Sequence, residues 1–417
     1  MDAKTPQPVS EERLVSEEKL GGTALPTLLA IMFVNMVGFG IVVPLLPFYA
    51  HSFAAPPWQM ALVFSAYAMG GFFGEPFWGR LSDRIGRKPI LISTVCGNCL
   101  CYLALAFAPN IYAAFFVRLL GGMASGNGSV IQGYLADVTP HEHRAGRMSM
   151  VGGAFNFGFI VGPALGGLLA HPGAGQTGFR IPLMVASGLA ALCAIGITLF
   201  VKESRQRHHH DSLEELPGRW AVVGRALTHS VVARLMAVTL LVGSALNGIE
   251  FVFGLWSAAR FHWGTREIGL AFAIVGVVST VCQITITGPA SRRFGEARVL
   301  AAGMALTAVG LMVQPFSTTA WEVMALMSLG AFGQSIAGPN ISALISNNIA
   351  EAHQGQYLGL NNAAGAFSRL IGPLIIGIAY SGIGIDAPFY LSGLFCIPAI
   401  FLALQSGRAA LVTRPAT

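Results

Sequence analysis

Twelve long apolar runs, separated by short polar segments, dominate this sequence of 417 residues. A helix needs about 20 mostly apolar residues to cross a bilayer. The runs that approach or exceed this length are 25–49, 59–79, 89–109, 111–136, 148–170, 179–201, 232–258, 267–290, 298–316, 321–346, 356–382 and 387–407. Only 11% of the residues are charged, against about 25% in soluble domains. We therefore predict an all-α polytopic membrane protein with twelve transmembrane helices in a lipid bilayer.

One hydrophilic interruption is much longer than the other loops and separates the runs into two sets of six. It predicts five regions along the chain. They are an N-terminal tail at 1–24, a six-helix half at 25–201, a linker at 202–229, a second six-helix half at 230–407 and a C-terminal tail at 408–417.

The basic residues predict the orientation of the chain in the membrane. Most of the 25 Lys and Arg residues fall in the tails, the linker and the loops on one face. Loops that are rich in Lys and Arg stay on the cytoplasmic side, so both termini are expected there. No cleavable signal precedes the first run, which is expected to act as the insertion signal. Because the basic residues are spread over short loops, they do not predict a nucleic-acid-binding face.

The loop between the second and third runs, GRLSDRIGRK at residues 79–88, is the most distinctive polar segment. We expect Gly79 to allow close approach of two backbones, and Gly86 to adopt a positive φ that ends the turn. Gly79 and Gly86 recur as Gly288 and Gly295 in GPASRRFGEARVL, half a chain later. An ordinary solvated loop is the alternative, but the second copy indicates an internal repeat.

The spacing of this loop resembles the signature loop between helices 2 and 3 of the major facilitator superfamily. The resemblance covers residues 25–407 and implies two pseudo-symmetric six-helix halves, each built from inverted three-helix units. It also implies a gating loop of Gly79, Asp83, Arg84, Gly86, Arg87 and Asp137. In this gate we expect Asp83 to cap the N-terminus of helix 11 near Gly355, and Arg87 to pair with Asp137.

The fifth run contains GFIVGPALGG, which resembles the motif of antiporters in this superfamily. The resemblance implies that small residues let helix 5 press on the opposite half and seal the outer side. The residues concerned are Gly158, Gly162, Pro163, Gly166 and Gly167. A packing helix with small residues and a proline kink is the alternative.

Two polar residues in other runs also resemble family motifs. Arg118, in RLLGGMASG, matches the helix 4 arginine that is thought to bias protonation of a nearby acid; a snorkelling interfacial residue is the alternative. Asn35, in NMVGFGIVVPLLP, stands where the tetracycline exporters often have an aspartate. An amide cannot carry a proton, so the coupling acid must lie elsewhere.

Two intramembrane acids are candidates for proton coupling. Glu250 lies near the centre of the seventh run, and the family places helices 1, 4, 7 and 10 around the transport cavity. Withdrawal from water favours the protonated carboxyl, as a proton carrier needs. A structural partner of Arg369 is the alternative role. Glu75 is the second candidate, and membership of the nearby loop's charge cluster is its alternative. The predicted cavity residues are Asn35, Arg118, Asn247, Glu250 and Arg369.

No metal, cofactor or enzymatic site is predicted. The six cysteines lie in apolar runs and are expected to be small buried hydrophobes, and the tract at 208–210 is expected to be a polar linker. The sequence lacks G-x-x-x-x-G-K-[ST], which excludes ATP-driven transport on this chain.

The resemblance implies a monomeric drug:proton antiporter of the bacterial cytoplasmic membrane that exchanges protons for amphipathic small molecules. The tetracycline exporters have a His in helix 8 and an acid in helix 9 that are absent here, so tetracycline is not the expected substrate. A proton symporter or facilitator for a small metabolite, and a transporter-like sensor that moves nothing, are the alternative functions.

Overall fold

The computed structural model describes residues 11–139, 141–204, 224, 228–349 and 351–412. We number its long helices α1 to α12, one for each predicted run. They are α1 in two pieces, Glu11–Val42 and Leu46–His51; α2 Pro57–Ile85; α3 Arg87–Ala106; α4 in two pieces, Ile111–Ala124 and Asn127–Val138; α5 His141–Leu169; α6 Arg180–Phe200; α7 Ser230–Phe261; α8 in two pieces, Thr265–Cys282 and Gly288–Phe294, joined by the π-helical turn Gln283–Thr287; α9 Glu296–Val313; α10 Ala320–Asn348; α11 Glu351–Gly382; and α12 Ala387–Val412.

Within this described part, nine helical segments are long and apolar enough to cross a membrane. The predicted count of twelve spans is therefore not confirmed, although every predicted run contains a helix. The segments outside the nine are α2, α4 and α10. A break divides α4 into pieces of 14 and 12 residues, and α2 contains Glu75, Arg80 and Asp83 among its apolar residues. The break in α4 and Glu75 of α2 lie at the central cavity described below.

The break in α4 has its own hydrogen bonds. Ser125 Oγ donates to the carbonyl of Gly122 at 2.6 Å, and Trp78 Nε1 of α2 donates to the carbonyl of Met123 at 2.6 Å. Backbone groups that a helix break leaves unpaired in a membrane must find other partners. Trp78 and Ser125 supply them here.

The helix contacts repeat between the two halves. Helix α1 packs on α5 as α7 packs on α11, and α3 packs on α6 as α9 packs on α12. The halves are joined by two equivalent pairs, α2 with α11 and α5 with α8. This is the pseudo-symmetric all-α arrangement that the repeat predicts.

The turn after the second helix of each half confirms the repeat at the level of the backbone. Gly86 has φ 118° and Gly295 has φ 84°. Each glycine donates its N–H to a serine carbonyl four residues earlier, at 3.1 Å to Ser82 and 2.9 Å to Ser291. The expectation for Gly79 is wrong, because a Cβ there would meet only the Ser129 side chain, at 3.6 Å from its Oγ.

The two halves meet on the face opposite to the 79–88 loop, and we call the loop side the basic face. On the opposite face, a Cβ on Gly377 of α11 would lie 2.8 Å from the Ala61 Cβ of α2. On the basic face, a Cβ on Gly152 or Gly153 of α5, or on Gly355 of α11, would meet no described atom within 4 Å. Among the described residues, the halves are therefore in contact on the opposite face, whereas these three glycines of the basic face have no neighbour from the other half.

Candidate functional site

A central cavity of about 1090 Å³ lies between the two halves. Its walls come from α1, α2, α4, α5, α7 and α11. All five residues predicted for the cavity line it: Asn35, Arg118, Asn247, Glu250 and Arg369. The resemblance predicted walls from helices 1, 4, 7 and 10. This prediction is wrong for α10, which does not line the cavity, and it omits α2 and α11, which do.

Glu250 lies in the interior of α7 and faces this cavity. Its Oε1 atom is buried and has no hydrogen-bond partner in the part of the chain that the structure describes. Arg369 of α11 lines the same cavity, but no ion pair within 4.0 Å joins the two among the described residues. A structural salt bridge therefore does not hold the Glu250 carboxyl in this conformation, and the group can interact with a proton or a ligand.

Glu75 of α2 also lines the central cavity. It lies ten residues before the end of α2 at Ile85, about 15 Å along the helix at 1.5 Å per residue. The backbone carbonyl of Glu75 accepts a hydrogen bond from Ser129 Oγ at 3.3 Å. Its place in the cavity wall favours the coupling role over membership of the loop's charge cluster.

Arg118 is almost fully enclosed, with 4% of its surface exposed. Its guanidinium carbon lies 4.5 Å from the centre of the Tyr67 ring, a cation–π contact. Asn98, Cys101 and Tyr102 lie around the same small void, and no acid lies within 4.0 Å of Arg118 among the described residues. The snorkelling alternative is wrong. Among the described residues, Tyr67 contacts this arginine directly, and the acid Glu75 lines the same central cavity.

Asn35 of α1 contacts the second piece of α4. Its Nδ2 donates to Asn127 Oδ1 at 3.3 Å, just after the break in α4. Asn127 is 2% exposed, and its own Nδ2 has no hydrogen-bond partner among the described residues. Asn35 thus links α1 to the second piece of α4 through a hydrogen bond between uncharged amides.

The gating loop contains a network of charged side chains around Arg87, which is 9% exposed. Arg87 Nε lies 3.0 Å from Asp137 Oδ2, which confirms the predicted pair. Its Nη1 lies 2.8 Å from Asp83 Oδ1 and 2.7 Å from Ser82 Oγ, while Arg84 is exposed at the end of α2. The predicted cap of α11 by Asp83 stays a prediction for a conformation in which the basic face is closed.

Glu203 is a part of this network that the sequence reasoning missed. Its carboxylate accepts the backbone N–H of Arg87 at 2.8 Å and that of Lys88 at 3.1 Å. Lys88 Nζ in turn donates to the carbonyl of Thr198, near the end of α6, at 2.8 Å. Glu203 thereby caps the N-terminus of α3, which favours negative charge. In the sequence, the only signal for this role was a single acid shortly after the end of α6.

Helix α5 packs on α8 of the opposite half as predicted, but three of its motif glycines face α1 of their own half. A Cβ on Gly158 would lie 2.6 Å from the carbonyl oxygen of Phe33, and one on Gly162 would lie 2.7 Å from the Gly40 Cα, both in α1. Gly166 likewise faces Ile41 of α1.

Among the described motif residues, Gly167 is the glycine that faces the opposite half, and Ile160 also packs on a glycine of α8. A Cβ on Gly167 would meet the carbonyl oxygen of Thr265 in α8, and one on Gly269 would meet that of Pro163. Thr265 Oγ1 also donates to the Gly167 carbonyl at 3.4 Å. The glycines at i, i+4 spacing thus pack on α1, and Gly167 contacts α8 of the opposite half.

Comparison with known proteins gives consistent results. The family model for the Major Facilitator Superfamily matches residues 28–284 and 251–415. The tetracycline resistance protein, class C, of Escherichia coli is 30% identical over 404 residues, which cover 90% of this chain and 96% of that protein. Multidrug resistance protein 2 of Bacillus subtilis (strain 168) is 25% identical over 397 residues, which cover 94% and 96%.

Solved structures agree in fold. A bacterial homolog to the human lysosomal transporter Spinster, in an inward-facing and unoccupied conformation, matches with a TM-score of 0.79 at 12% identity and covers 98% of this chain and 100% of that chain. The human organic anion transporter MFSD10 matches with a TM-score of 0.67 at 22% identity over 95% and 100%.

Proposed function

This chain belongs to the Major Facilitator Superfamily, and from that premise we propose that it exports amphipathic organic molecules in exchange for protons. The observation that carries the proposal is the Glu250 carboxyl, which lines the central cavity with one buried oxygen that has no partner among the described residues. Acids within membrane helices are rare and mark ion or substrate pathways. The tetracycline and multidrug resistance names of the relatives support export of drug-like molecules.

The arrangement of the halves supports a cycle in which the basic face is cytoplasmic. In the conformation described here, a substrate reaches the central cavity from the basic face, and the Glu250 carboxyl gives up its proton to that side. Rocking of the halves then closes the basic face and opens the opposite one. There the carboxylate takes up a proton and the substrate leaves. The chain acts in this cycle as a monomer in the bacterial cytoplasmic membrane, with both termini in the cytoplasm.

Transport into proteoliposomes under an imposed pH gradient tests this proposal against its alternatives. A panel of amphipathic drugs is added to vesicles that contain the purified protein, and substrate and proton movements are followed together. We expect substrate and protons to move in opposite directions. Co-directional movement would establish a symporter, and movement of substrate without protons a facilitator. No movement of any compound, with the protein correctly inserted, would favour the sensor.

A further inference from the structure

A second cavity lies in the C-terminal half beside the central one, and we call it the side compartment. Its empty volume, which includes space open to solvent, is about 710 Å³. Helix α5 contributes one wall residue, and α7, α8, α9 and α10 with the turn after α9 contribute the rest. The wall residues are Phe159, Leu246, Asn247, Ile249, Glu250, Phe272, Val275, Leu311, Gln314, Leu326, Met327, Gly330, Ala331 and Gln334.

The side compartment adjoins the central cavity at Asn247 and Glu250, because these two residues line both. They lie three positions apart on α7, so their side chains are neighbours on one helix face. A molecule bound in the central cavity can therefore extend past this pair into the C-terminal half. The Glu250 carboxyl lies at the junction and can contact a ligand on either side.

The chemistry of the walls defines what the side compartment accepts. Most of its surface is apolar, with the Phe159 and Phe272 rings and the flexible thioether of Met327, a side chain that adapts to differently shaped ligands. Among the described wall residues, Glu250 carries the only charge. Arg369 faces the Glu250 carboxyl from the central cavity and does not line the side compartment. Within the compartment, the carboxylate therefore favours a cation and repels an anion.

Gln314 closes the far end of the compartment. It follows directly after α9 and is 1% exposed. Its Nε2 makes a long hydrogen bond of 3.4 Å to the carbonyl of Val323. Helix α9 begins after Gly295 on the basic face, so Gln314, which follows its end, lies near the opposite face. A weakly bound amide at a closed apolar end can hydrogen-bond a polar group of a ligand.

We propose that the side compartment is a substrate subsite for the aromatic end of an elongated organic cation. The positive nitrogen lies beside Glu250, the ring system lies among Phe159, Phe272 and Met327, and a terminal polar group reaches Gln314. This inference rests on the proposed function and adds a substrate class to it. A proton on the Glu250 carboxyl leaves to water when the cation binds, because the ion pair needs the carboxylate.

A glycine in the wall allows the compartment to be filled without disturbing the fold. Gly330 of α10 lines it, and a Cβ at this position would meet no described atom within 4 Å. Gly330→Leu therefore places a side chain in the empty space, and leucine is also the better helix former. Gly338, on the same helix, has equal space for a Cβ but does not line the compartment. Gly338→Leu is the matched control.

Binding is measured by fluorescence polarisation of a dimethylaminostyryl-pyridinium dye, an elongated permanent cation, to protein in lipid nanodiscs. The globular cation tetraphenylphosphonium, which does not fit the elongated shape, serves as the competitor. We expect Gly330→Leu to weaken dye binding about tenfold or more, because an aromatic ring loses its apolar site. Gly338→Leu is expected to bind the dye as the wild type does, and tetraphenylphosphonium affinity is expected to be equal in all three proteins.

Two results would overturn the subsite. The first is unchanged dye affinity in Gly330→Leu, the outcome if the compartment holds only water. The second is a wild-type protein that does not bind the dye. Met327→Trp fills the same space from another position and gives the same loss if Gly330→Leu does not fold. If the wild type exchanges other drugs for protons in vesicles while either result holds, only the subsite fails and the proposed function stands.

Discussion

The two copies of the loop after the second helix of each half share a backbone but differ in their side chains. Both end a helix at a glycine with positive φ, Gly86 and Gly295. In the first copy, Arg87 follows the glycine and is bound by Asp83 and Asp137. In the second copy, Glu296 follows the glycine. Its partner in the described structure is the Asn347 amide, at the long distance of 3.4 Å.

The difference separates what the fold requires from what the first copy adds. The turn between two antiparallel helices requires the glycine in both halves. The acid at the start of the next helix is also present in both, supplied by Glu203 of the linker in the first copy and by Glu296 of the helix itself in the second. Only the first copy has a buried arginine bound by two acids among the described residues. We therefore expect gating to depend on the first copy alone.

The largest expected effect is that of alanine at the two glycines. Backbone conformations that only glycine adopts readily cost other residues on the order of 1–3 kcal/mol, and both variants incur this strain. A Cβ on Gly86 would in addition lie 2.5 Å from Glu203 Oε2, whereas one on Gly295 would meet no described atom within 4 Å. Thermal unfolding in detergent is expected to show a greater loss for Gly86→Ala than for Gly295→Ala. Equal losses would mean that the Glu203 cap does not constrain the turn.

The next effect is that of removing one arginine charge from each copy. Arg87→Gln breaks charged hydrogen bonds to Asp83 and Asp137, which are typically worth about 1.5–3 kcal/mol, toward the lower value here because Asp83 is half exposed. Arg292 is exposed, and Arg292→Gln is expected to change stability by less than about 0.5 kcal/mol. Transport assays on the same pair are expected to show loss of activity for Arg87→Gln only. A similar loss in Arg292→Gln would remove the functional distinction between the copies.

The smallest effect concerns the cap of α3. Glu203→Gln keeps an oxygen that accepts from the N-terminal N–H groups but removes the charge, which is worth about 0.3–1 kcal/mol at a helix N-terminus. The loss of stability is expected to shrink at high salt, because salt screens exposed charges. Denaturation at low and high salt measures this change. A loss that does not depend on salt would indicate that Glu203 acts through its shape rather than its charge.

The sequence predicted features that depend on local spacing. The positive φ of Gly86 and the repeat at Gly295 are present, because a motif places its residues in fixed relation to one another. The Arg87–Asp137 pair joins residues 50 positions apart and followed from the resemblance to the family's loop instead. Spacing also placed Gly158, Gly162 and Gly166 on one face of α5. It could not identify the helix that packs on that face, which is α1 rather than the opposite half.

Residues whose role depends on packing were missed for the same reason. Glu203 lies more than a hundred positions from the N–H groups that it caps, so its partners follow only from the position of α6 beside α3. The resemblance implied an acid near Arg118, but it could not show that Tyr67 and Tyr102 lie around the guanidinium. The side compartment likewise depends on how five separate helices pack, so no motif within a single helix predicts it.

The central claim is that Glu250 carries the proton that exchanges for substrate, and proton release on substrate binding tests it most directly. A compound identified in the vesicle experiment is added to detergent-solubilised protein in weak buffer, and the pH change is recorded for the wild type, Glu250→Gln and Glu75→Gln. We predict proton release from the wild type and from Glu75→Gln, and none from Glu250→Gln, whose neutral amide resembles the protonated carboxyl. Because the amide is expected to bind a cationic compound more weakly, each protein is saturated with the compound. Equal release from the wild type and Glu250→Gln would contradict the claim and move the coupling site to another group, with Glu75 the first to examine.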